Sequence, residues 1–282
     1  MQYINLDNNV QMPILGFGVF QIPAEQTEQA VVDAIKAGYR HIDTAQSYMN
    51  ETEVGKGIAR SGVARSELFV TTKVWINNYG LEETRASIER ALNRMGLDYL
   101  DLVLLHQPVG DVTGAWRALE ALQAEGKIRA IGVSNFTAAR LTDLGLFNKV
   151  MPQVNQIEVN PFHQRTEQVG FMQKEGVAVQ AWAPFAEGKN DIFRNPVLTE
   201  IAGKYGKSVA QVIVRWLVER NITVLAKSVK LERMQENINV FDFQLNEDDH
   251  KAIATLDLGK TLIFGHDDPE TIRFLANYKI DA

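Results

Sequence analysis

Apolar runs rich in valine, isoleucine and leucine alternate with segments of helical periodicity from about residue 25 to the end of the chain. The clearest helical segments are residues 24 to 37 and residues 82 to 95, in which apolar side chains recur three and four positions apart. A glycine follows each of them, and glycine with a positive φ commonly closes a helix before the next strand. The same punctuation recurs along the chain, at Gly38, Gly62, Gly96, Gly126 and Gly176.

The apolar runs between the helical segments are predicted to be parallel strands with both faces buried under helices. They lie at residues 39–43, 67–73, 99–106, 128–134, 154–159, 177–182 and 222–228, with 238–243 as the eighth candidate. About eight strand and helix units in a chain of this length predict an α/β fold, the (β/α)8 or TIM barrel. The active site of such a barrel lies at the carboxyl ends of its strands.

A doubly wound sheet with a dinucleotide-binding turn is the alternative fold. Its glycine fingerprint is incomplete, because LGFGVF at residues 15–20 has two of the glycines and no third, and Pro23 follows where a helix should open with glycine. No Walker A phosphate-binding loop occurs either. The barrel is therefore the better prediction.

Composition narrows the class of protein. The chain has 282 residues, 45% of them hydrophobic and 23% charged, which is enough apolar material for a large core. No linker rich in proline, glycine or serine interrupts it, so we predict a single domain over residues 1–282. The formal net charge of -6 argues against a nucleic-acid partner. The absence of cysteine excludes disulfides, thiolate metal sites and a cysteine nucleophile.

The sequence also predicts where the protein works. No run of about 18 uncharged apolar residues is present, and the first residues, MQYINLDNN, are polar. We therefore expect no membrane partner and a cytoplasmic location. No long exposed apolar stretch calls for a second subunit, so a monomer is expected.

Four titratable residues lie at or after the ends of three successive predicted strands: Asp43 with Tyr48 in the loop after it, then Lys73, then His106. Each has a structural interpretation when taken alone. Asp43 resembles a turn or helix cap, Tyr48 an ordinary loop aromatic, Lys73 a solvated lysine, and His106 a hydrogen-bonded structural histidine. Because strand ends converge in a barrel, the four together indicate a site.

The chemistry of the four residues is coherent. A tyrosine hydroxyl titrates near pH 10, and a neighbouring ammonium such as Lys73 is expected to lower that pKa by about 1 to 3 units. Asp43 would keep the lysine protonated and in place, while His106 would orient a substrate oxygen toward Tyr48. General acid catalysis of this kind supplies about 10²- to 10⁴-fold in rate. The set suits protonation of an oxygen, as carbonyl reduction requires.

The sequence resembles the aldo-keto reductase family over nearly its full length. The segments that carry the resemblance are LGFGVF (15–20), GYRHIDTAQSYMNETEVG (38–55), TTKVW (71–75), LDLVLLHQP (100–108), GKIRAIGVSNF (126–136), QIEVNP (156–161) and AKSVKLERMQEN (226–237). The resemblance is to the bacterial branch that reduces diketo sugar acids, methylglyoxal and simple aldehydes. It implies that Asp43, Tyr48, Lys73 and His106 form the catalytic tetrad, with Tyr48 as proton donor.

The family resemblance also implies a nicotinamide dinucleotide bound on the barrel without a Rossmann domain. The positions that match its cofactor contacts are Ser134, Asn135, Gln156, Trp182, Lys227, Ser228, Arg233, Glu236 and Asn237. The first three match the carboxamide contacts, and Trp182 matches the aromatic that stacks on the nicotinamide, commonly a tyrosine. From the residues alone, turn chemistry, a buried amide and simple packing are equally open interpretations.

The last five of these positions match the adenosine end. Lys227, Ser228 and Arg233 correspond to contacts with the 2′-phosphate, and the remaining two to contacts with adenine. Charge-assisted donors near a helix start suit a phosphate, so NADPH is predicted over NADH. A solvated basic face that also includes Lys230 is the alternative interpretation.

The substrate pocket is predicted to be lined by Phe20, Met49, Trp75, Gln107, Phe136, Phe264 and His266. Gln107 and Phe20 stand where the family frequently has tryptophan, which predicts a wider and more polar pocket. The tail after about residue 258 is short, so a small lid and an open site are expected. The substrate is a small-molecule carbonyl compound.

Two other functions fit parts of the sequence. The first is a noncatalytic nicotinamide-binding regulatory protein on the same scaffold, against which the complete tetrad argues. The second is a metal-dependent barrel hydrolase, suggested by His41 and Asp43, two positions apart on one strand. Only five histidines occur and no third ligand is evident, so no metal site is predicted.

Overall fold

The computed structural model describes residues 1–266 and 268–280, and its centre is a closed barrel of eight parallel strands. A separate antiparallel hairpin of two strands precedes the barrel. In chain order the strands are β1 (Tyr3–Asn5), β2 (Gln11–Pro13), β3 (Leu15–Gly18), β4 (His41–Asp43), β5 (Phe69–Val74), β6 (Leu100–Leu105), β7 (Ile128–Ser134), β8 (Val154–Glu158), β9 (Ala178–Trp182) and β10 (Ile222–Ala226). Strands β3 to β10 pair in sequence order, and β10 closes the barrel on β3. The predicted (β/α)8 fold is confirmed.

Helices lie between successive barrel strands and after the last one. In chain order they are α1 (Ala24–Lys36), α2 (Glu51–Arg60), α3 (Leu81–Met95), α4 (Val112–Ala124), α5 (Ala138–Leu146), α6 (Thr166–Lys174), α7 (Pro196–Tyr205), α8 (Val209–Glu219), α9 (Leu231–Ile238), α10 (Glu247–Ala254) and α11 (Pro269–Asn277). The two segments with the clearest helical periodicity became α1 and α3 within one residue of the predicted bounds. Within residues 1–266 and 268–280, none of these helices has the length and apolar character needed to cross a membrane.

The strands are buried because helices cover them from outside while side chains fill the barrel from inside. All six residues of β6 are buried, and so are all six of β5, including Lys73. Continuous burial of this kind is typical of a parallel sheet covered on both faces. The predicted helix-closing glycines also have positive φ, for example 64° at Gly96, where α3 ends. The alternation of apolar runs and helical segments in the sequence therefore corresponds to strands and helices in the structure.

One barrel strand was placed wrongly from the sequence. The eighth candidate, residues 238–243, is not a strand: α9 continues to Ile238 and an extended segment follows it. Side chains from α8 satisfy that segment's carbonyl groups, since Gln211 donates to Asn239 O and Arg215 to Val240 O. The missing strand is β3 at Leu15–Gly18, a segment whose sequence was compared above only with a cofactor-binding turn.

Neighbouring strands lie close to one of the two glycines of strand β3, Gly16. A Cβ added at Gly16 would lie 2.6 Å from Cδ2 of Leu225 and 3.0 Å from Nδ1 of His41. Both neighbours belong to the strands that flank β3, β10 and β4. Glycine is depleted in strands generally and is kept where another chain segment approaches closely. The glycines of β3 therefore weaken the sequence pattern that would predict a strand there.

Candidate active site

The carboxyl ends of the barrel strands bring together polar residues that are far apart in sequence. Asp43 is the last residue of β4, and Lys73 is the last but one of β5. His106 directly follows β6, and Ser134 ends β7. Trp182 ends β9. The side chains of this face therefore come from five strands, and a single loop change does not move them together.

Lys73 is at the centre of the site, with no exposed side-chain surface. Its Nζ donates to Asp43 Oδ1 at 2.5 Å, to the backbone oxygen of Thr44 at 3.0 Å and to the Tyr48 hydroxyl oxygen at 3.1 Å. The three donors of the ammonium are thus all used. An unpaired charge buried this deeply would be strongly destabilising, so Asp43 is required for Lys73 to remain an ammonium.

The electrostatics of this trio differ from expectation in one respect. Burial raises the pKa of Tyr48 above 10, and Lys73 opposes that rise through its charge and its hydrogen bond. The expected net lowering of the Tyr48 pKa is therefore wrong for this structure, although Lys73 acts in the expected direction. Burial opposes the charge of Lys73, yet Asp43 and Tyr48 raise its pKa above 10.5. At neutral pH the site holds a neutral phenol beside a charged ammonium.

His106 is a neutral imidazole at the same face. Burial lowers its pKa well below 6.5, and the charge of Lys73 and the proximity of His266 lower it further. Its ring lies edge-on to Tyr48, with centroids 5.8 Å apart, and to Trp75, with centroids 5.1 Å apart. A neutral imidazole has one N–H donor and one acceptor nitrogen, so His106 can donate one hydrogen bond to an oxygen held near Tyr48.

A short turn after β4 fixes where Tyr48 projects. Residues Gln46–Tyr48 form a 3₁₀ turn, and the buried Gln46 side chain ties that turn to its neighbours. Its Oε1 accepts from the Trp75 backbone N–H at 3.0 Å and from Asn78 Nδ2 at 2.9 Å, and its Nε2 donates to Ser87 Oγ at 3.0 Å. This role of Gln46 is not predicted from the sequence. The only signal was a glutamine between two candidate catalytic residues.

The predicted nicotinamide contacts form a connected network beside the tetrad. Gln156 donates through Nε2 to Asp43 Oδ2 and to Gln180 Oε1, both at 2.9 Å. The Ser134 hydroxyl donates to the Gln156 backbone oxygen at 2.9 Å. Asp43 thus accepts from both the lysine and the glutamine, which links the proton-donating side of the site to the predicted cofactor side. Gln180, which buries its amide in this network, was not anticipated.

Trp182, predicted to stack on the nicotinamide, is held in place by its indole N–H. Nε1 donates to Asn135 Oδ1 at 2.9 Å, while the Asn135 amide nitrogen donates to the His106 backbone oxygen at 3.2 Å. Asn135 has a φ of 67°, a left-handed conformation that asparagine tolerates better than most residues. The tryptophan therefore makes a polar contact of its own where a tyrosine would place a hydroxyl.

The predicted adenosine contacts all line one groove after β10. Lys227, Ser228, Arg233, Glu236 and Asn237 share it with Phe185 and Phe193 from the segment after β9 and with Ser208, Val209 and Ala210 at the start of α8. Lys227 and Arg233 are exposed, and no carboxylate among the described residues forms an ion pair with either of them. The Ser228 hydroxyl accepts from the Lys230 backbone N–H at 3.0 Å, which shapes the turn into α9.

The predicted substrate residues fall into three groups. Phe20, 49% exposed, lies against Tyr48 with ring centroids 4.9 Å apart; Met49 is 55% exposed; Trp75 lies against His106. Phe264 and His266 lie in the tail, and His266 approaches the Trp182 ring with centroids 6.4 Å apart. These five residues border the face that carries the tetrad.

The other two predicted substrate residues are buried, as is Trp75, which is 5% exposed. Phe136 is 1% exposed and belongs to the hydrophobic core. Gln107 is 6% exposed, and its Oε1 accepts from Asn135 Nδ2 at 3.4 Å. The Tyr79 hydroxyl holds the Gln107 backbone from both sides, accepting from its N–H and donating to its C=O. Gln107 therefore extends the Asn135 network.

The tail covers more of the site than the expected small lid. It contains helix α11, and Trp75 Nε1 donates to the Tyr278 backbone oxygen at 2.8 Å beyond it. The Trp75 and Tyr278 rings also pack edge-on, with centroids 5.6 Å apart. Asn77 donates to the Ile280 backbone oxygen at 3.1 Å. Residues before the tail helix and after it thus contact the same end of the barrel.

His41 and Asp43 serve separate purposes. The His41 Nε2 lies 3.0 Å from Thr71 Oγ1 and its Nδ1 3.4 Å from the Pro13 backbone oxygen, whereas Asp43 binds Lys73 and Gln156. In the part of the chain that the structure describes, no group of three histidine, aspartate or glutamate side chains has the arrangement to hold a metal ion.

Comparisons with known proteins all point to one protein family. The sequence model of the Aldo/keto reductase family matches residues 14–258. The glyoxal reductase of Bacillus subtilis (strain 168) is 46% identical over 255 residues, which cover 90% of this chain and 92% of that protein. The methylglyoxal reductase DkgA of Salmonella typhimurium is 40% identical over 91% of this chain and 93% of its own length. A crystal structure of a Bombyx mori aldo-keto reductase in complex with NADP superposes with a TM-score of 0.90 at 34% identity, covering 96% of each chain.

Proposed function

The chain belongs to the aldo/keto reductase family, and from that membership and the geometry above we propose that it reduces small aldehydes and ketones to alcohols with NADPH, using Tyr48 as the proton donor. It is an oxidoreductase. The observation that carries the proposed mechanism is the fully buried Lys73 ammonium hydrogen-bonded to both Asp43 and Tyr48. The similar proteins are reductases, and nothing in the comparisons supports a noncatalytic alternative.

The residues present fit a phosphorylated nicotinamide dinucleotide. Lys227 and Arg233 are cations without carboxylate partners among the described residues, and they line a groove beside the start of α9. That helix has no side-chain cap at its amino end, so its first N–H groups add donors for an anion. Ser134, Asn135, Gln156 and Trp182 would hold the nicotinamide end. When bound there, the reduced nicotinamide supplies the hydride.

The proton chemistry belongs to the side chains of this protein. Tyr48 keeps its proton at neutral pH because burial raises its pKa, so the phenol is available to a carbonyl oxygen. As negative charge develops on that oxygen, the proton passes from Tyr48 to it. The phenolate left behind is stabilised by the adjacent Lys73 ammonium, which Asp43 holds in place. His106 donates a second hydrogen bond to the oxygen and orients it.

The proposed substrates are small and carbonyl-containing. The glyoxal and methylglyoxal reductases to which the chain is similar act on short aldehydes by their names. In this chain the exposed Phe20 and Met49 and the edge-on Trp75 give an aromatic and apolar border to the catalytic face. This border suits compounds from dicarbonyls to aromatic aldehydes, and it provides no charged contact of its own.

We further propose that the domain takes in the whole chain, residues 1–282, and that the protein works as a monomer in the cytoplasm. The hairpin before β3 and the tail after α10 both contact the barrel, through Met12 and Trp75 respectively. The cytoplasm provides the reduced nicotinamide cofactor that the proposed reaction consumes. Size-exclusion chromatography with light scattering should give the mass of one chain.

Oxidation of NADPH in the presence of a carbonyl panel tests the function. The panel contains methylglyoxal, a nitrobenzaldehyde and a diketo sugar acid. We expect carbonyl-dependent NADPH oxidation with at least one compound, together with formation of the alcohol. Tight NADPH binding without turnover on any carbonyl would contradict the proposal and favour a regulatory protein.

A further inference from the structure

Ser47 lies between Gln46 and Tyr48 in the short turn after β4, and its side chain points at His106. It is the middle residue of the turn Gln46–Tyr48. Its hydroxyl oxygen is 3.3 Å from the Nδ1 atom of His106. Among the described residues this hydroxyl is the one hydrogen-bond partner of the His106 ring.

The position of the Ser47 hydroxyl is set by the turn, because both residues that flank Ser47 are held in place. On one side of Ser47, Gln46 is 1% exposed and anchored to Trp75, Asn78 and Ser87. On the other side, Tyr48 is held by Lys73. Both neighbours are fixed by hydrogen bonds, so the serine between them presents its hydroxyl to the imidazole in a preorganised orientation.

The contact can form with either neutral tautomer of the imidazole, and the tautomer decides whether the serine donates or accepts. If the serine O–H donates to Nδ1, the ring proton must be on Nε2, and Nε2–H is then a donor. In the opposite tautomer Nδ1–H would donate to the serine oxygen, and the half-buried serine would have to turn its own proton toward solvent. Nε2 would then be an acceptor, which cannot bind a carbonyl oxygen.

We propose that Ser47 is a positioning residue for the reaction: its hydroxyl donates to His106 Nδ1, holds the proton on Nε2 and so prepares that nitrogen to donate to the substrate oxygen. This inference rests on the proposed carbonyl reduction for its catalytic consequence. The tautomer itself is a property of the protein without substrate, so it can be measured separately.

The test compares wild type with Ser47→Ala and Ser47→Thr, all labelled with ¹⁵N-histidine. The His106→Gln variant identifies the His106 signals among the five histidines of the chain. In wild type at neutral pH we expect an unprotonated, hydrogen-bonded Nδ1 and a protonated Nε2 on His106. Ser47→Ala should shift the Nδ1 resonance, because the hydrogen bond is lost, whereas Ser47→Thr, which keeps a hydroxyl, should not.

Kinetics provide the second readout. A neutral hydrogen bond lost from the site lowers kcat/KM by roughly 3- to 10-fold, and we expect the loss in Ser47→Ala to be mainly in kcat. Ser47→Thr should restore most of the rate, and both variants should bind NADPH as wild type does. Because Ser47 is only half-buried, the extra methyl of threonine has room.

Three results would overturn the inference. They are a wild-type His106 that carries its proton on Nδ1, an unchanged Nδ1 resonance in Ser47→Ala, and equal impairment of the alanine and threonine variants. If wild type reduces no carbonyl, the proposed function fails, but the NMR spectra still decide whether Ser47 sets the tautomer.

Discussion

At the scale of single residues, the site works by keeping opposite charges and neutral donors side by side in a buried space. Burial alone would make Tyr48 a weaker acid and Lys73 a weaker base. The Asp43 carboxylate raises the pKa of Lys73 and so favours the charged form of the lysine. The useful effect of Lys73 is therefore to stabilise the phenolate when it forms, and not to lower the resting pKa of Tyr48 below 10.

The proposed preference for NADPH is likewise attributed to single residues. Arg233→Ala removes a cation from the groove that also holds Lys227. A charge-assisted hydrogen bond contributes about 1.5 to 3 kcal/mol, so this variant should bind NADPH roughly 10- to 100-fold more weakly and NADH almost as wild type does. Fluorescence titration with each cofactor measures both affinities.

A neighbouring cation supplies the matched control. Lys230 is exposed and lies three positions from both Lys227 and Arg233, but it does not line the groove, so Lys230→Ala should leave NADPH affinity nearly unchanged. If Arg233→Ala weakened NADH and NADPH equally, or if Lys230→Ala had the same effect, the cluster would be a general basic face and not a phosphate site.

At the scale of elements, helix packing around the barrel depends on particular glycines. In α2, a Cβ added at Gly55 would lie 2.2 Å from the backbone oxygen of Met95 at the end of α3. Backbone atoms cannot rotate away, so Gly55→Ala must separate the two helices and should destabilise the protein by roughly 1 to 3 kcal/mol.

Gly203 provides the opposite case within α7. It is exposed, and a Cβ built there meets nothing within 4 Å. Alanine is a better helix former than glycine, so Gly203→Ala should stabilise the protein by roughly 0.5 to 1 kcal/mol. Urea unfolding of both variants checks the pair. Equal and small effects of the same sign would show that α2 and α3 do not pack as closely as described.

Much of the architecture was predictable at this scale. Seven of the eight barrel strands were located because continuous apolar runs follow helix-closing glycines, as in β6 and β7. Strand β3 is not predicted because two of its four residues are glycines. Residues 238–243 are predicted as a strand because they include buried apolar residues such as Val240, but they form no strand. Periodicity reports burial, but it does not report which backbone groups pair.

The candidate site was predictable where residue chemistry points to strand ends, and not where geometry decides. Asp43, Tyr48, Lys73 and His106 could be grouped because strand ends converge. The anchoring of Gln46, the burial of Phe136 and the return of the tail onto Trp75 depend on side-chain directions across the barrel. No local sequence signal carries that information.

At the scale of the whole molecule, the fold buries neutral histidines, and this links stability to pH. Burial lowers the pKa of His41 to about 4 and that of His106 well below 6.5. Above pH 6.5 these rings are neutral in both the folded and the unfolded chain. As pH falls from 6.5 toward 4, the unfolded chain takes up protons that the folded protein excludes, so stability decreases.

The expected slope is about 1.4 kcal/mol of unfolding free energy per pH unit for each such histidine. Urea unfolding at several values between pH 7 and pH 5 measures it. His41→Gln should reduce the slope by the contribution of one histidine, about 1.4 kcal/mol per pH unit, whatever its effect on stability at pH 7. An unchanged slope in His41→Gln would contradict burial of a neutral ring.

The central claim is that the Tyr48 hydroxyl gives its proton to a carbonyl oxygen, and Tyr48→Phe tests it most directly. We predict that kcat on the preferred carbonyl falls roughly 10²- to 10⁴-fold while NADPH affinity stays close to that of wild type. Tyr3→Phe removes an exposed hydroxyl from the hairpin and should change neither quantity. Turnover near the wild-type rate in Tyr48→Phe, with NADPH still bound, would contradict the claim.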